Sequence, residues 1–362
     1  MGEQTPNEHN MTVDRTEPSH EVGRRGFIKT AAVAAAAAGL VAQGGAEKAA
    51  AQPAPTGQAG RKFKIIDFRN RPPLKPFKGL FDLKANYLMQ KRLNSINRGA
   101  NTAMPSMALE GIGTPAAMDL WWKEIDAAGI SAVVVNGRYA AGLADFTMDN
   151  DTLAQLQDRY KGRLFGLSQV NLDQDPAKTA QEVEKAIKQQ GLKGANLEPG
   201  YQTKGIGKMG TFTDDPSFWP ILEVLAATGA FLLIQTGLFA GTDIWFNNPP
   251  ALDRMLQSFP TVNVVLAHGG YPYVLEMLGL ANKHPQLYIS PDVYMFWPGG
   301  QLYQMNLSLL PDQFVFGSAY PFCAMNEIVQ DTLNLRDNPL ARVSDEVMEK
   351  YLSGNAARLL KI

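Results

Sequence analysis

The 362-residue chain is poor in the residues that build most metal and redox centres: one cysteine, Cys323, and four histidines, His9, His20, His268 and His284. A single cysteine excludes an internal disulfide and any Cys-rich zinc or cluster site. An excess of charge of one sign is missing too, since 34 Lys+Arg face 35 Asp+Glu and leave a formal net charge of −1. That balance offers no basic stripe to a nucleic-acid backbone, so nucleic acid is not expected as a partner. The alanine-rich run from Thr30 to Val41 falls short of the ~20 residues that span a bilayer. What is there, 45% apolar and 19% charged residues, is an ordinary globular composition for one large domain or two medium ones.

Gly23-Arg24-Arg25-Gly26-Phe27-Ile28-Lys29 resembles a twin-arginine export signature. The alanine-rich run follows it, and Ala49-x-Ala51 supplies the small residues that signal peptidase requires. Residues 1–51 are therefore expected to be a twin-arginine signal peptide, 52–61 a flexible linker, and 62–362 the folded domain. The expected partner for export is the twin-arginine machinery, and the expected location is the periplasm or the cell exterior. Of the four histidines, His268 and His284 remain beyond the leader.

From Arg61 onward, short apolar runs alternate with amphipathic stretches. The strand candidates are Phe63–Asp67, Ser131–Val135, Leu164–Val170, Gly194–Leu197, Phe231–Gln235, Val262–Ala267, Leu287–Ser290 and Gln313–Phe316. Helix patterns at Pro115–Ala128, Pro176–Gln189, Pro216–Ala227, Pro250–Ser258 and Tyr273–Lys283 lie between them, several opening with proline in the first turn. Eight strand–helix units over about 300 residues predict a (β/α)8 TIM barrel. A doubly wound open sheet is the rival, but no glycine-rich fingerprint follows the first strand. Arg71 to Gly113 is an insertion after strand one with a helical stretch near Asp82–Asn97; Ser344–Leu352 and Asn355–Leu360 are closing helices.

Barrel chemistry sits where strands end at the C-terminal face. Those ends carry Asp67, Arg69 and Arg71; Asn136 and Arg138; Gln169; Asn196 and Glu198; Gln235; His268; Ser290 and Asp292; and Ser318 to Tyr320. Leu266-Ala267-His268-Gly269-Gly270, Phe316-Gly317-Ser318-Ala319-Tyr320-Pro321 and Gly354-Asn355-Ala356-Ala357-Arg358 resemble the amidohydrolase-related family of TIM-barrel hydrolases and decarboxylases.

The resemblance implies one divalent metal held by a His-x-His after strand one, a His at strand five and an Asp at strand eight. It also implies an acid–base His at strand six, and a dimer. This sequence departs at every metal position: Arg69 and Arg71 stand at the His-x-His, Gln235 at the strand-five His, and Ala319 at the Asp. Guanidinium groups have no lone pair to donate and repel a cation, so the site is expected to hold neither metal nor other cofactor. His268 keeps the acid–base position.

Two arginines suit a small carboxylate substrate, with Arg138 as a third donor. The alternative is that these arginines pair with Asp67, Glu198 or Asp292. His268 is the expected proton-transfer residue, on a glycine-flanked loop where backbone can approach a ligand closely. Glu198 and Asp292 can orient it, act as a second acid–base group, or close salt bridges. Gln235 and Asn196 can hold a carbonyl or water, while Tyr294 and Trp297, beyond strand seven, can stack on a flat, cyclic or aromatic substrate. The expected activity is metal-independent hydrolysis, for example of a lactone, or carboxy-lyase chemistry. The alternatives are a binding protein without catalysis and a metal-dependent decarboxylase whose site is rebuilt from Asp67, Glu198, Asp292 and His268. His284 is expected at the surface or at a helix cap.

Overall fold

Residues 62–81, 111–139, 147–171, 173–200, 210–238 and 244–362 are described by a computed structural model. The leader, the linker and the helix expected over 82–97 lie outside the described residues. Runs such as Ala132–Asn136 (β2) and Phe231–Gln235 (β5) are buried along their whole length, as strands covered on both faces must be. The other strands are Ile66–Asn70 (β1), Leu164–Gln169 (β3), Gly194–Leu197 (β4), Val264–Ala267 (β6) and Leu287–Ser290 (β7). All seven pair in parallel in the order β1-β2-β3-β4-β5-β6-β7.

The eighth position is filled without a full strand. Residues 313–318 bridge β7 to β1: Ile289 N donates to Gln313 O at 2.7 Å, and Phe68 N to Phe316 O at 2.8 Å. The N–H of Phe316 goes instead to Tyr351 O in the π-helical stretch Lys350–Gly354, which takes away a ladder bond. Asp67 completes the closure, accepting from Ser318 N at 2.8 Å and Ser318 Oγ at 2.6 Å. The fold is a TIM barrel, as expected, with one strand reduced to a bridge.

Helices pack outside: Pro115–Ala128 (α1), Asn150–Arg159 (α2), Pro176–Lys188 (α3), Trp219–Thr228 (α4), Pro249–Ser258 (α5), Val274–Lys283 (α6), Gln301–Asn306 (α7), Met325–Leu333 (α8), Asp345–Glu349 (α9) and Asn355–Leu360 (α10). Thr114, Asp175 and Asn248 cap α1, α3 and α5 by accepting backbone N–H bonds, each followed by proline at the first helical position. Helix α2 carries no such proline and is absent from the sequence expectations. Pro216–Phe218 is a 3-10 turn leading into α4 rather than its first turn.

One irregularity positions the site. Asp67 pairs with Val133 and Asn70 with Val135, so Phe68 and Arg69 together oppose Val134. This β-bulge puts two consecutive side chains on the barrel's inner side. Phe68 joins the interior cluster with Val134, Phe231 and Leu233, and Arg69 reaches across to β5 and β6. Asn70 turns outward, accepting from Trp121 Nε1 of α1 at 2.8 Å.

Candidate active site

The inner face changes from apolar to polar toward the strand ends. Val134 gives way to Asn136, Leu167 to Gln169 and Leu233 to Gln235, each two residues on and hence on the same side. Arg69, almost fully buried, lies among them. Its Nη1 donates to Gln235 Oε1, its Nη2 lies 2.6 Å from His268 Nε2, and its Nε lies 3.7 Å from Asp292 Oδ2.

His268 Nδ1 lies 3.0 Å and 2.9 Å from the two oxygens of Asp292, and its backbone N–H donates to the same carboxylate at 3.2 Å. A carboxylate only accepts and a guanidinium only donates. The partners therefore fix the tautomer: the proton sits on Nδ1, and the Nε2 lone pair accepts from Arg69. Burial, ahead of the charge on Arg69, pulls the imidazolium pKa down to about 4 against the opposing pull of Asp292. His268 is therefore neutral at pH 7.

The network continues across the mouth. Gln235 Nε2 donates to Asn196 Oδ1 at 2.8 Å, and Asn196 Nδ2 donates to Gly137 O at 2.7 Å and to Glu198 Oε1 at 3.4 Å. Glu198 Oε2 pairs with Arg138 Nε at 3.2 Å. Arg71 stands apart: its Nη1 donates to Ala319 O and Tyr320 O at 3.2 and 3.1 Å, and its guanidinium lies over the Phe322 ring. Among the described residues no carboxylate makes an ion pair with it. Burial, with the charge of Arg69 second, pushes its pKa well down, so its charge is costly in this setting.

An aromatic wall stands beside His268. Tyr294 meets the imidazole edge-on at 5.4 Å, Tyr271 stacks on Tyr294 at 4.6 Å, and Trp297 packs against Tyr294 at 4.6 Å. Three non-glycine residues with left-handed backbone ring the same mouth: His268 (φ 62°), Asp292 (φ 43°) and Ala319 (φ 57°). Such strain persists where surrounding structure over-determines it, often at functional sites. Gly237, with φ 102°, leaves room for the imidazole, since a Cβ there would lie 2.6 Å from that of His268.

Most residues singled out at the strand ends meet at this mouth. His268, Asp292, Arg69, Gln235 and Asn196 form one connected set, flanked by Tyr294 and Trp297. Glu198 is placed against Arg138 and away from His268. Asp67 is spent on barrel closure, also accepting from Asn70 Nδ2 and from the backbone N–H of Arg69. Hence Asp67, Glu198, Asp292 and His268 do not gather, and no group of three His, Cys, Asp or Glu suited to a metal exists among the described residues.

One expectation is corrected. Gly269 and Gly270 serve left-handed backbone packed on Tyr303 and Met277 instead of opening space for a ligand. His284 is the C-cap of α6, one of the two places expected for it; its ring is buried, with Nε2 2.6 Å from Asp253. Cys323 is buried, donating to Ser318 O. Tyr271 escaped notice, although its place directly after His268-Gly-Gly was a signal. Asn136 and Gln169, already read at the strand ends, each have a buried side-chain oxygen without a hydrogen-bond partner.

Residues 124–362 match the amidohydrolase family. The chain belongs to that family. A solved structure of an uncharacterised TIM-barrel protein from Bordetella bronchiseptica is 30% identical, covers 83% of this chain and 99% of its own, and superposes with a TM-score of 0.69. The 5-carboxyvanillate decarboxylase of Sphingomonas paucimobilis is 20% identical over 83% of this chain and 100% of its own, with a TM-score of 0.56, a likeness of fold. The 2-amino-3-carboxymuconate-6-semialdehyde decarboxylase of Dictyostelium discoideum is 25% identical over 244 residues, 58% of this chain; the match spans 65% of that relative, under two thirds.

The divalent ion that the family resemblance implies has no fitting donor set here. The two neutral donors at the centre, Gln235 Oε1 and His268 Nε2, are both bound by the Arg69 guanidinium. A cation there would have to displace a buried cation and then find anionic ligands already paired elsewhere.

Proposed function

We propose that this amidohydrolase-family protein is an enzyme that acts on a small, flat carboxylate without a metal ion, His268 moving the proton. The observation that carries this is the Asp292–His268–Arg69 set, in which a neutral imidazole is oriented by a carboxylate at the end of β6. Arg71 is the first anchor for the substrate carboxylate, because its charge is buried without an anionic partner among the described residues. Tyr271, partly exposed and backed by Tyr294, offers the face on which a ring stacks.

Carboxy-lyase chemistry is placed first. Two of the relatives above are decarboxylases, and Ala319 supplies no carboxylate to activate a water. Hydrolysis of a lactone or other activated carbonyl is the second reading, favoured by the Nε2 lone pair, which suits a general base. The resemblance of residues 23–29 to a twin-arginine signature supports export to the periplasm or beyond, which cell fractionation tests.

The test is a screen of aromatic carboxylates and carboxylated lactones, scoring carbon dioxide and acid release, with wild type and His268→Ala. Turnover should fall by about 10²–10⁴-fold in the variant. Undiminished turnover removes His268 from the reaction. Tight binding without turnover by wild type makes the chain a binding protein, and activity that tracks added zinc or manganese overturns metal independence.

A further inference from the structure

The lone pair that would do the chemistry is already occupied. His268 Nδ1 is held by Asp292, and Nε2, the only nitrogen left to exchange a proton with a substrate, accepts from Arg69 Nη2 at 2.6 Å. Arg69 is itself firmly seated, with Nη1 on Gln235 Oε1 and Gln235 braced by Asn196. As long as this bond stands, the imidazole can neither take nor deliver a proton at Nε2.

We infer that Arg69 is a positioning residue that masks His268 Nε2 in the resting site, and that a carboxylate docking beside it at Arg71 unmasks the base by drawing off Nη2. This rests on the proposed carboxylate site and deepens it. Arg69 then prefers one form of the substrate: a neutral amide has no charge with which to compete for a guanidinium, whereas a carboxylate is its strongest natural partner. The gate couples chemistry to the charge that marks the correct substrate, and in the unliganded site it spares the imidazole from stray protonation.

The arrangement around the ring supports an exchange of partners over a simple loss. Arg69 on β1 and Arg71 just beyond it oppose a proton on His268; Asp292, beyond β7, favours one. Glu198, after β4, acts on both arginines at longer range, and Tyr294 is a neutral phenol whose pKa burial pushes up. Once a carboxylate takes Arg69 Nη2, the ring loses a cationic neighbour's bond and gains a nearby anion, so its affinity for a proton rises.

The experiment is an NMR titration of the His268 imidazole in the full-length protein, the signal assigned with His268→Gln. Benzoate serves as the anionic probe and benzamide as the neutral one; the Trp297 indole reports occupancy. Benzoate should raise the His268 pKa by about one unit or more and shift Nε2 toward its protonated position, whereas benzamide should not. Arg69→Met should raise the pKa without ligand and abolish the response to benzoate; a purely structural role for Arg69 would leave the imidazole's pKa unmoved. If benzoate shifts Trp297 and leaves His268 untouched, the mask is wrong while the carboxylate site stands. If benzoate does not bind, the carboxylate site fails. The ligand-free pKa of Arg69→Met then decides the mask alone, and an unchanged value overturns it. Should that variant not fold, Gln235→Leu, which frees the other end of the guanidinium, must also move the His268 pKa, and no movement overturns the mask.

Discussion

His268 and His284 each meet an aspartate at hydrogen-bond distance, 2.9 Å from His268 Nδ1 to Asp292 and 2.6 Å from His284 Nε2 to Asp253. The pairs are chemically alike and their surroundings are opposite. Around His268 the third group is a buried guanidinium, which adds to burial in keeping the ring neutral. Around Asp253 it is Lys283, whose Nζ lies 2.7 Å from both carboxylate oxygens at the protein surface. There the Lys283 and His284 hydrogen bonds hold the carboxylate pKa down at about 2. What touches the far side of a histidine–aspartate pair thus sets its electrostatic state. The pair at the strand ends has backbone strain, burial and an aromatic wall around it; the pair at the end of α6 closes a helix.

Substituting the aspartates breaks the comparison most sharply. Asp292→Asn removes the carboxylate that pairs with Arg69 among the described residues and leaves a poorly compensated buried cation, which costs about 3–5 kcal/mol. The amide can also donate to Nδ1 and turn the imidazole into the wrong tautomer, so turnover should fall by about 10²–10⁴-fold. Urea unfolding of the variant checks the first effect and steady-state kinetics the second. A loss of activity without a loss of stability would mean that Arg69 does not need this carboxylate.

The strand positions and the proline-led helices were legible because their signals are local: apolar runs, and Thr, Asp or Asn before proline. Reading strand ends also found the residues of the mouth. Several pairings were offered, among them arginine with Glu198 or Asp292 and Asp292 with His268, but which would form stayed open. Asp67 and Arg69 alternate as if on one face of a regular strand, and only the bulge at Phe68 and Arg69 separates them. Asp292 lies 24 residues from His268, joined to it through neighbouring strands and the left-handed backbone of both residues. The last strand read as regular because its sequence cannot tell that Tyr351 takes the Phe316 N–H.

A milder change sharpens the comparison through pH. The His268 pKa is about 4 in the folded protein against 6.5 for a free histidine. Between those values the unfolded chain binds the extra proton, so stability rises with pH across the window and is lost as pH falls from 6.5 toward 4. The span corresponds to at most about 3 kcal/mol. Thermal unfolding followed from pH 7 to pH 4.5 should show this slope in wild type and a flatter one in His268→Gln; equal slopes would place the titration elsewhere.

Asp253→Asn should do least. The Asp253 carboxylate, with a pKa of about 2 against 3.8, adds stability that is complete above 3.8 and lost only as pH falls through about 2, well clear of the His268 window. Its side chain is a quarter exposed and that of Lys283 about half, so water screens the pair. At pH 7 the variant should lose about 1 kcal/mol or less in urea unfolding. Its slope between pH 7 and 4.5 should match wild type, and its turnover should be unchanged. The asparagine oxygen can still accept from His284, so the ring keeps its place. A large loss of activity here would mean that the cap of α6 communicates with the strand ends, and the two pairs would then no longer be independent.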